Sequence, residues 1–267
     1  LPAGAPAAPY AEFLAALRAA GFEGEISSDY ASRTVLATDN SIYQRLPQAA
    51  VFPAHAEDVQ TVTRLLAEPA HRDVVITARG GGTGTNGQSL TDGIVLDLSR
   101  NMNRILEINA EERWVRVQAG VVKDQLNAAL KPHGLFFAPE LSTSNRATIG
   151  GMINTDASGQ GSCTYGKTRD HVLAIDFVLL GGERLQSLPL NAPELEAACA
   201  QGGRAGQVYR TARRIADTQA ELIAAKFPPL NRCLTGYDLA HLRTPDQGFN
   251  LNSVLCGAEG SLGCIVE

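Results

Sequence analysis

Metal-ligand spacing is missing from this sequence. The five histidines, His55, His71, His133, His171 and His241, stand apart, with no H-x-H or H-E-x-x-H pattern. No helix face therefore carries a paired zinc site, and no metal-binding residues are expected. The five cysteines, Cys163, Cys199, Cys233, Cys256 and Cys264, form no C-x-x-C pair. That speaks against an iron–sulfur cluster within the chain and reads as reduced, mostly buried thiols of a cytoplasmic protein. Positive charge is in deficit: the net charge is −5, which argues against a nucleic-acid surface. No apolar run approaches the ~20 residues of a membrane span. The Ala/Pro-rich start, Leu1 to Pro9, lacks a basic head and a long apolar core, so it reads as a poor signal peptide. Leu rather than Met in first place, and an apolar run broken off at Cys264-Ile265-Val266-Glu267, read as part of a longer polypeptide.

Glycine, by contrast, is abundant, and its densest stretch carries the argument. Arg79-Gly80-Gly81-Gly82-Thr83-Gly84-Thr85-Asn86-Gly87 holds five glycines in nine residues, after the apolar run Val74 to Ala78. Repeated positive φ angles would turn successive N–H groups inward and form a concave anion site. Two phosphate motifs match by letter. Gly82-x-Gly84-x-x-Gly87 fits the dinucleotide fingerprint, and Gly82 to Ser89 is one residue from a Walker A loop. Both require a helix next, with the phosphate at its N-terminus. Here Thr91-Asp92-Gly93 reads as a turn and Ile94 to Leu98 as a second strand, and Gln88 stands where the Walker lysine belongs. A plain turn rarely needs so many glycines, because each costs backbone entropy.

Hydrophobic content of 44% with 19% charged residues is that of an ordinary globular protein. Tyr10 to Ala20 has Phe13, Leu14 and Leu17 on one face of a helix, expected to pack on the outside of the domain. Residues 1–46 form this helix and a lead-in. A first lobe, about 47–103, contains the strand Ala50 to Phe52, the helix Ala56 to Ala67, and the continuous apolar strands Val74–Ala78 and Ile94–Leu98, expected as a buried parallel pair. A second lobe, about 104–267, begins with the alternating strand Trp114 to Gln118 and the helix Lys123 to Lys131, stopped by Pro132 and Gly134. Val172–Leu180 and Glu183–Leu188 flank Gly181-Gly182 as a hairpin. Gly202 to Gly206 reads as a flexible break and Val208 to Lys226 as one long helix.

Strand, Arg-Gly-Gly-Gly-Thr, loop, strand resembles the pyrophosphate loop of the FAD-linked oxidases, the vanillyl-alcohol oxidase or PCMH-type flavoproteins. Four further blocks follow in family order: Ala147 to Thr155 after Pro139; Ser158 to Ser162 with Tyr165 to Asp170; Thr235 to Leu239; and Gly257 to Gly263. The resemblance covers about residues 47 to 267. It implies an α+β, PCMH-type FAD-binding fold of two α/β lobes with the cofactor in the cleft between them.

The resemblance also implies a set of cofactor contacts. Arg79, Gly80, Gly81, Gly82, Thr83, Gly84, Thr85 and Asn86 form the phosphate cradle. Thr148, Gly150 and Gly151 begin a short helix whose free N–H groups face FAD, and Pro139 and Asn154 are further contacts. The small residues Gly150, Gly151, Ser158 and Gly159 would let the backbone approach closely, Gly161, Ser162 and Tyr165 are further contacts, and Ile265 and Val266 match flavin-side positions. Thr83 occupies the place where some relatives carry a linking histidine, so FAD is expected to be non-covalent. Leu141 to Arg146 and Asn154 to Ser162 are similar to the large bacterial D-2-hydroxyglutarate dehydrogenase type, which adds an iron–sulfur half in another segment. Ala258 in place of the usual Ser, and an insertion from Arg243 to Asn252, depart from the wider family. The implied partner is a small 2-hydroxy acid, with the electron acceptor open, no nucleic acid, and the substrate cap and catalytic base outside these residues. A D-lactate or glycolate dehydrogenase remains an alternative. So do an electron-transfer module without its own substrate site and, disfavoured by Gln88, a nucleoside-triphosphate binder.

Overall fold

The computed structural model describes residues 4–230, 236–246 and 248–267; Cys233 and Thr235 lie outside them. Helix α1 (Ala8–Ala19) carries Pro9 in its first turn, where a backbone N–H has no partner in any case. Its face of Phe13, Leu14 and Leu17 is buried, with Phe13 edge-on to His71. Strand β1 (Glu25–Ser27) and α2 (Tyr30–Val35), capped by Asp29, lead to β2 (Ala49–Phe52) and α3 (Ala56–Leu66). Helix α3 buries Val59, Val62 and Leu65. Strands β3 (Ile76–Arg79) and β4 (Ile94–Asp97) complete a four-stranded sheet in the order β1-β2-β4-β3. The expected parallel pair is present, Ile76 opposite Ile94. Every residue of β2 and β4 is buried, as apolar runs in parallel strands demand, whereas β3 is only half-buried.

The second half starts with the antiparallel pair β5 (Ile105–Asn109) and β6 (Trp114–Val117), followed by α4 (Lys123–Leu130). The chain leaves α4 through a short 3₁₀ turn and Gly134 at φ 68°. Helix α5 (Ile149–Thr155) and the single turn α6 (Ser162–Tyr165) precede the hairpin of β7 (Ile175–Val178) and β8 (Arg184–Ser187). Gly181 and Gly182 both take positive φ at its tip, as the dipeptide signal requires. Strand β9 (Cys264–Ile265) adds antiparallel to β7.

Two expectations are corrected. Gly202 to Gly206 is not a break: after α7 (Ala192–Ala200), helix α8 runs from Gly203 to Thr218 and includes both Gly203 and buried Gly206. A side chain at Gly206 would collide with the Gln201 carbonyl, so glycine there serves close packing, not mobility. Nor is the following helix continuous, because Gln219 (φ −116°, ψ 16°) separates α8 from α9 (Ala220–Lys226). The insertion Arg243 to Asn252 is built into the core through Phe249 and Leu251, both buried, with Phe249 bridged to Leu190. One hydrophobic core joins both halves, from Phe13, Val59 and Ile94 to Met152, Phe177 and Ile265.

Candidate functional site

A cleft of about 200 Å³ opens at the C-terminal end of β3, the end of a parallel strand where α/β folds place ligands. Its first wall is Arg79 to Gly84, its second Thr148 to Thr155 in and before α5, and its third Glu259, Gly260 and Ile265. No helix follows the glycine loop, so the dinucleotide and Walker readings fail structurally as well.

The glycines of the loop do two different jobs. Only Gly82 (φ 61°) and Gly87 (φ 78°) take positive φ, which corrects the expectation of a repeated left-handed backbone. Gly80 and Gly81 are required by proximity instead. A Cβ on Gly80 would strike the Thr148 hydroxyl, and one on Gly81 the Arg146 carbonyl. Arg79 anchors the loop by donating to the Thr38 carbonyl at 2.8 Å and to that of Leu36. Burial pushes its guanidinium below the usual arginine range, opposed by nearby Asp97 and Asp39. The Gly82 carbonyl accepts from Asn40 N–H at 3.1 Å. Among the described residues, no protein acceptor meets the amide N–H groups of Gly81, Gly82, Thr83 and Gly84. Successive unsatisfied amides in a concave loop are what an anion requires.

Helix α5 behaves differently from expectation. Its N-terminal N–H groups are not free. Ile149 and Gly150 donate to the Val121 and Ala119 carbonyls, each at 2.8 Å, and Gly151 to the Thr148 hydroxyl at 3.3 Å. The helix therefore offers close backbone approach at Gly150 and Gly151, not a row of donors. Asn154 closes the third wall, its side-chain oxygen accepting from Gly260 N–H at 3.0 Å.

Of the residues singled out in the sequence, Arg79, Gly80, Gly81, Gly82, Thr83, Gly84, Thr148, Gly150, Gly151, Asn154 and Ile265 line this cleft. Thr85 and Asn86 lie on the exposed far end of the loop. Val266 is fully buried behind Ile265, its carbonyl accepting from Ala119 N–H. Pro139, Ser158, Gly159, Gly161, Ser162 and Tyr165 form an adjoining block beyond the cleft lining, in which Gly159 packs on the Glu140 carbonyl. Within it, the Ser158 hydroxyl is buried with no protein partner among the described residues. An orphaned hydroxyl of this kind costs about 1–3 kcal/mol unless a ligand or water satisfies it.

Sequence reasoning missed Ala119, Leu98, Ser89 and Glu259, and discounted Gln88; all five line the cleft. Glu259 was the one with a signal, inside the last glycine-rich block. Ala119 carried none. Cys163 is exposed and free. His171, bonded to the Tyr165 carbonyl at 2.7 Å, faces a different groove of about 680 Å³. That groove is larger but is lined mainly by side chains such as Trp114, Leu126, Phe137 and Leu173 and has no glycine backbone for an anion. Among the described residues, no group of three or more His, Cys, Asp or Glu could hold a metal, and no helix is long and apolar enough to cross a membrane.

Three comparisons bear on the cleft. A family profile described as FAD binding domain matches residues 47–187. A Pseudomonas putida protein named D-2-hydroxyglutarate dehydrogenase is 76% identical over 98% of this chain, and an Escherichia coli protein of the same name is 54% identical over 96%. The chain spans about a quarter of the length of these relatives (26% and 25%). Among solved structures, an alkyldihydroxyacetonephosphate synthase is similar in fold, with a TM-score of 0.67 at 19% identity, over 99% of this chain and 39% of that one. The 6-hydroxy-D-nicotine oxidase of Arthrobacter nicotinovorans gives 0.56 at 24% identity, over 63% and 36%. The free amides of Gly81 to Gly84, the glycine contacts that keep side chains out, and the profile over residues 47–187 converge: this chain belongs to the FAD-linked oxidase family and carries its FAD-binding fold.

Proposed function

We propose that the chain is the FAD-binding part of a flavin-dependent D-2-hydroxyacid dehydrogenase acting on D-2-hydroxyglutarate. The observation that carries this reading is the 76% identity, over nearly the whole chain, to a protein of that name. The division into a lead-in of residues 1–46 and an FAD-binding domain of residues 47–267 belongs to the same reading. So does a cytoplasmic setting, which the free thiols of Cys163, Cys199, Cys256 and Cys264 support.

When bound, FAD supplies the acceptor for the hydride of the substrate's α-carbon. The chain's own residues hold and shield it. Gly81 to Gly84 offer backbone amides to the pyrophosphate, the Gly150-Gly151 backbone leaves room for it, and Ile265 excludes water from the third wall. No base or substrate-carboxylate clamp is assigned to these residues, and the electron acceptor belongs to other segments or proteins.

Two results are expected. First, FAD is released into the supernatant on acid denaturation, since Thr83 cannot form a histidine-type link. Colour that stays with the pellet would overturn non-covalent binding. Second, the chain loaded with FAD shows no anaerobic bleaching of its band near about 450 nm with D-2-hydroxyglutarate. A chimera in which these residues replace the matching segment of the Pseudomonas putida relative bleaches fully. A chimera that binds FAD but ignores D-2-hydroxyglutarate would sink the substrate assignment; bleaching by the chain alone would place the acid–base groups here.

A further inference from the structure

Glu259 is a carboxylate in a cleft suited to an anion. It lines the same wall-to-wall space as Gly80 to Gly84. Its backbone is pinned there: Glu259 N–H donates to the Asn154 carbonyl at 2.9 Å, and the next residue's N–H to the Asn154 side chain at 3.0 Å. The residue takes φ 53°, a left-handed conformation in a residue that is neither glycine nor Asn nor Asp, which costs about 1–2 kcal/mol. Gln88 lines the same cleft, and its side-chain oxygen accepts from Asn86 N–H at 3.1 Å. Glu259 is exposed at the rim of the cleft, and its backbone is fixed by the bonds to Asn154.

Among the described residues, no ion pair holds it. Arg79 is the only cation lining the cleft among the described residues, and its guanidinium is committed to the Thr38 and Leu36 carbonyls with Asp39 and Asp97 close by. Other ionisable groups stand near the segment: Tyr237, whose hydroxyl meets that of Ser261 at 2.6 Å, Cys256, and Asp156 beside Gly257, which is paired with Lys167 and Arg169 and has Asp170 close by. In so small a cleft a bound pyrophosphate lies within a Debye length, about 8–10 Å, of the carboxylate, and the charges repel. Burial already holds the Glu259 carboxyl above the ordinary glutamate range, with only the Gln88 hydrogen bond opposing it.

We propose that Glu259 is a charge gate on the cofactor cleft: its ionised carboxylate opposes the pyrophosphate of FAD, and the carboxylate takes up a fraction of a proton from solvent as the cofactor binds. The proposal rests on the reading that the pyrophosphate occupies the cleft of Gly81 to Gly84. Neutral Glu259 keeps its place and its Gln88 contact without the repulsion. FAD should therefore bind more tightly as pH falls through the titration of this group.

The test is FAD titration of the whole chain, followed by fluorescence quenching at about pH 5 and about pH 8. The unmodified protein should bind about five- to twentyfold more tightly at the lower pH, a size set by one unit charge at this range in a partly screened site. Glu259→Gln should bind as tightly at the higher pH as the unmodified protein does at the lower, with no pH dependence. Calorimetry in two buffers of different ionisation enthalpy should show proton uptake that Glu259→Gln abolishes, a readout that a structural role would not move. If Gly82→Val loses FAD but Glu259→Gln binds equally or more weakly, the gate is overturned, and the carboxylate is instead a partner for a cofactor hydroxyl. If neither substitution alters FAD binding, the cleft assignment itself falls, and the gate with it.

Discussion

Gly82→Val leaves the protein folded and without FAD. Gly82 sits at φ 61°, where a β-branched residue is strained by about 1–3 kcal/mol. Strain alone would not remove a ligand; position does. A Cβ built on Gly82 lies 2.5 Å from the Arg79 guanidinium. Arg79 must then leave the Thr38 and Leu36 carbonyls that tether the loop, and the amides of Gly81 to Gly84 lose their arrangement. A micromolar complex has only about 8 kcal/mol in total, so losing two or three amide contacts takes it out of range. Gly134→Val is the control. It carries the same kind of strain, at φ 68°, but no atom lies within 4 Å of its Cβ and it is remote from the cleft. Quenching titrations should show FAD bound by Gly134→Val and not by Gly82→Val, with similar thermal melts. Normal binding by Gly82→Val would place the pyrophosphate elsewhere.

Asp156→Ala destabilises the fold by about 3 kcal/mol, because it breaks a buried ion pair. Asp156 ends α5 in a left-handed conformation (φ 45°, ψ 51°), which its short polar side chain tolerates. Its carboxylate meets the Lys167 ammonium at 2.5 Å and accepts from Arg169 N–H at 3.0 Å. Lys167 is 1% exposed, so the pair is shielded from water. Arg169 extends the set to Asp238, which also holds His241 at 2.7 Å. Asp156→Asn keeps the backbone conformation and the bond from Arg169 N–H but not the charge, and should fall between. Urea unfolding midpoints of the three proteins decide the matter. A loss below about 1 kcal/mol for Asp156→Ala would mean that the neighbouring groups repack without cost.

Much of the fold could be read from the chain because the signals were local. Phe13, Leu14 and Leu17 at helical spacing, the unbroken apolar runs of β2 and β4, and Gly181-Gly182 each specify an element without help from elsewhere. The glycine loop was legible as the lining of a cleft for the same reason. What failed was non-local. The N–H groups of Ile149 and Gly150 look free in sequence, yet carbonyls from Val121 and Ala119, some thirty residues earlier, consume them. Gly80 and Gly81 look like flexible turn residues, yet their lack of a side chain serves contact with Thr148 and Arg146. Gly206 looks like a break, yet tertiary packing inside α8 overrides helix propensity there. Gln88, weighed only as the missing Walker lysine, proved to be a cleft residue because the last glycine block folds back over it.

The pressing of Gly80 and Gly81 against Thr148 and Arg146 has a thermodynamic corollary. The cradle is donated by one half of the chain and closed by the other, so neither half alone possesses the intact site. A ligand that binds only the joined arrangement stabilises it by mass action, about 2.7 kcal/mol at a hundredfold excess over Kd. Cofactor supply and the cohesion of the two halves are therefore one linked equilibrium. Without its ligand the chain would be less tightly assembled, and more open to proteolysis at the seam.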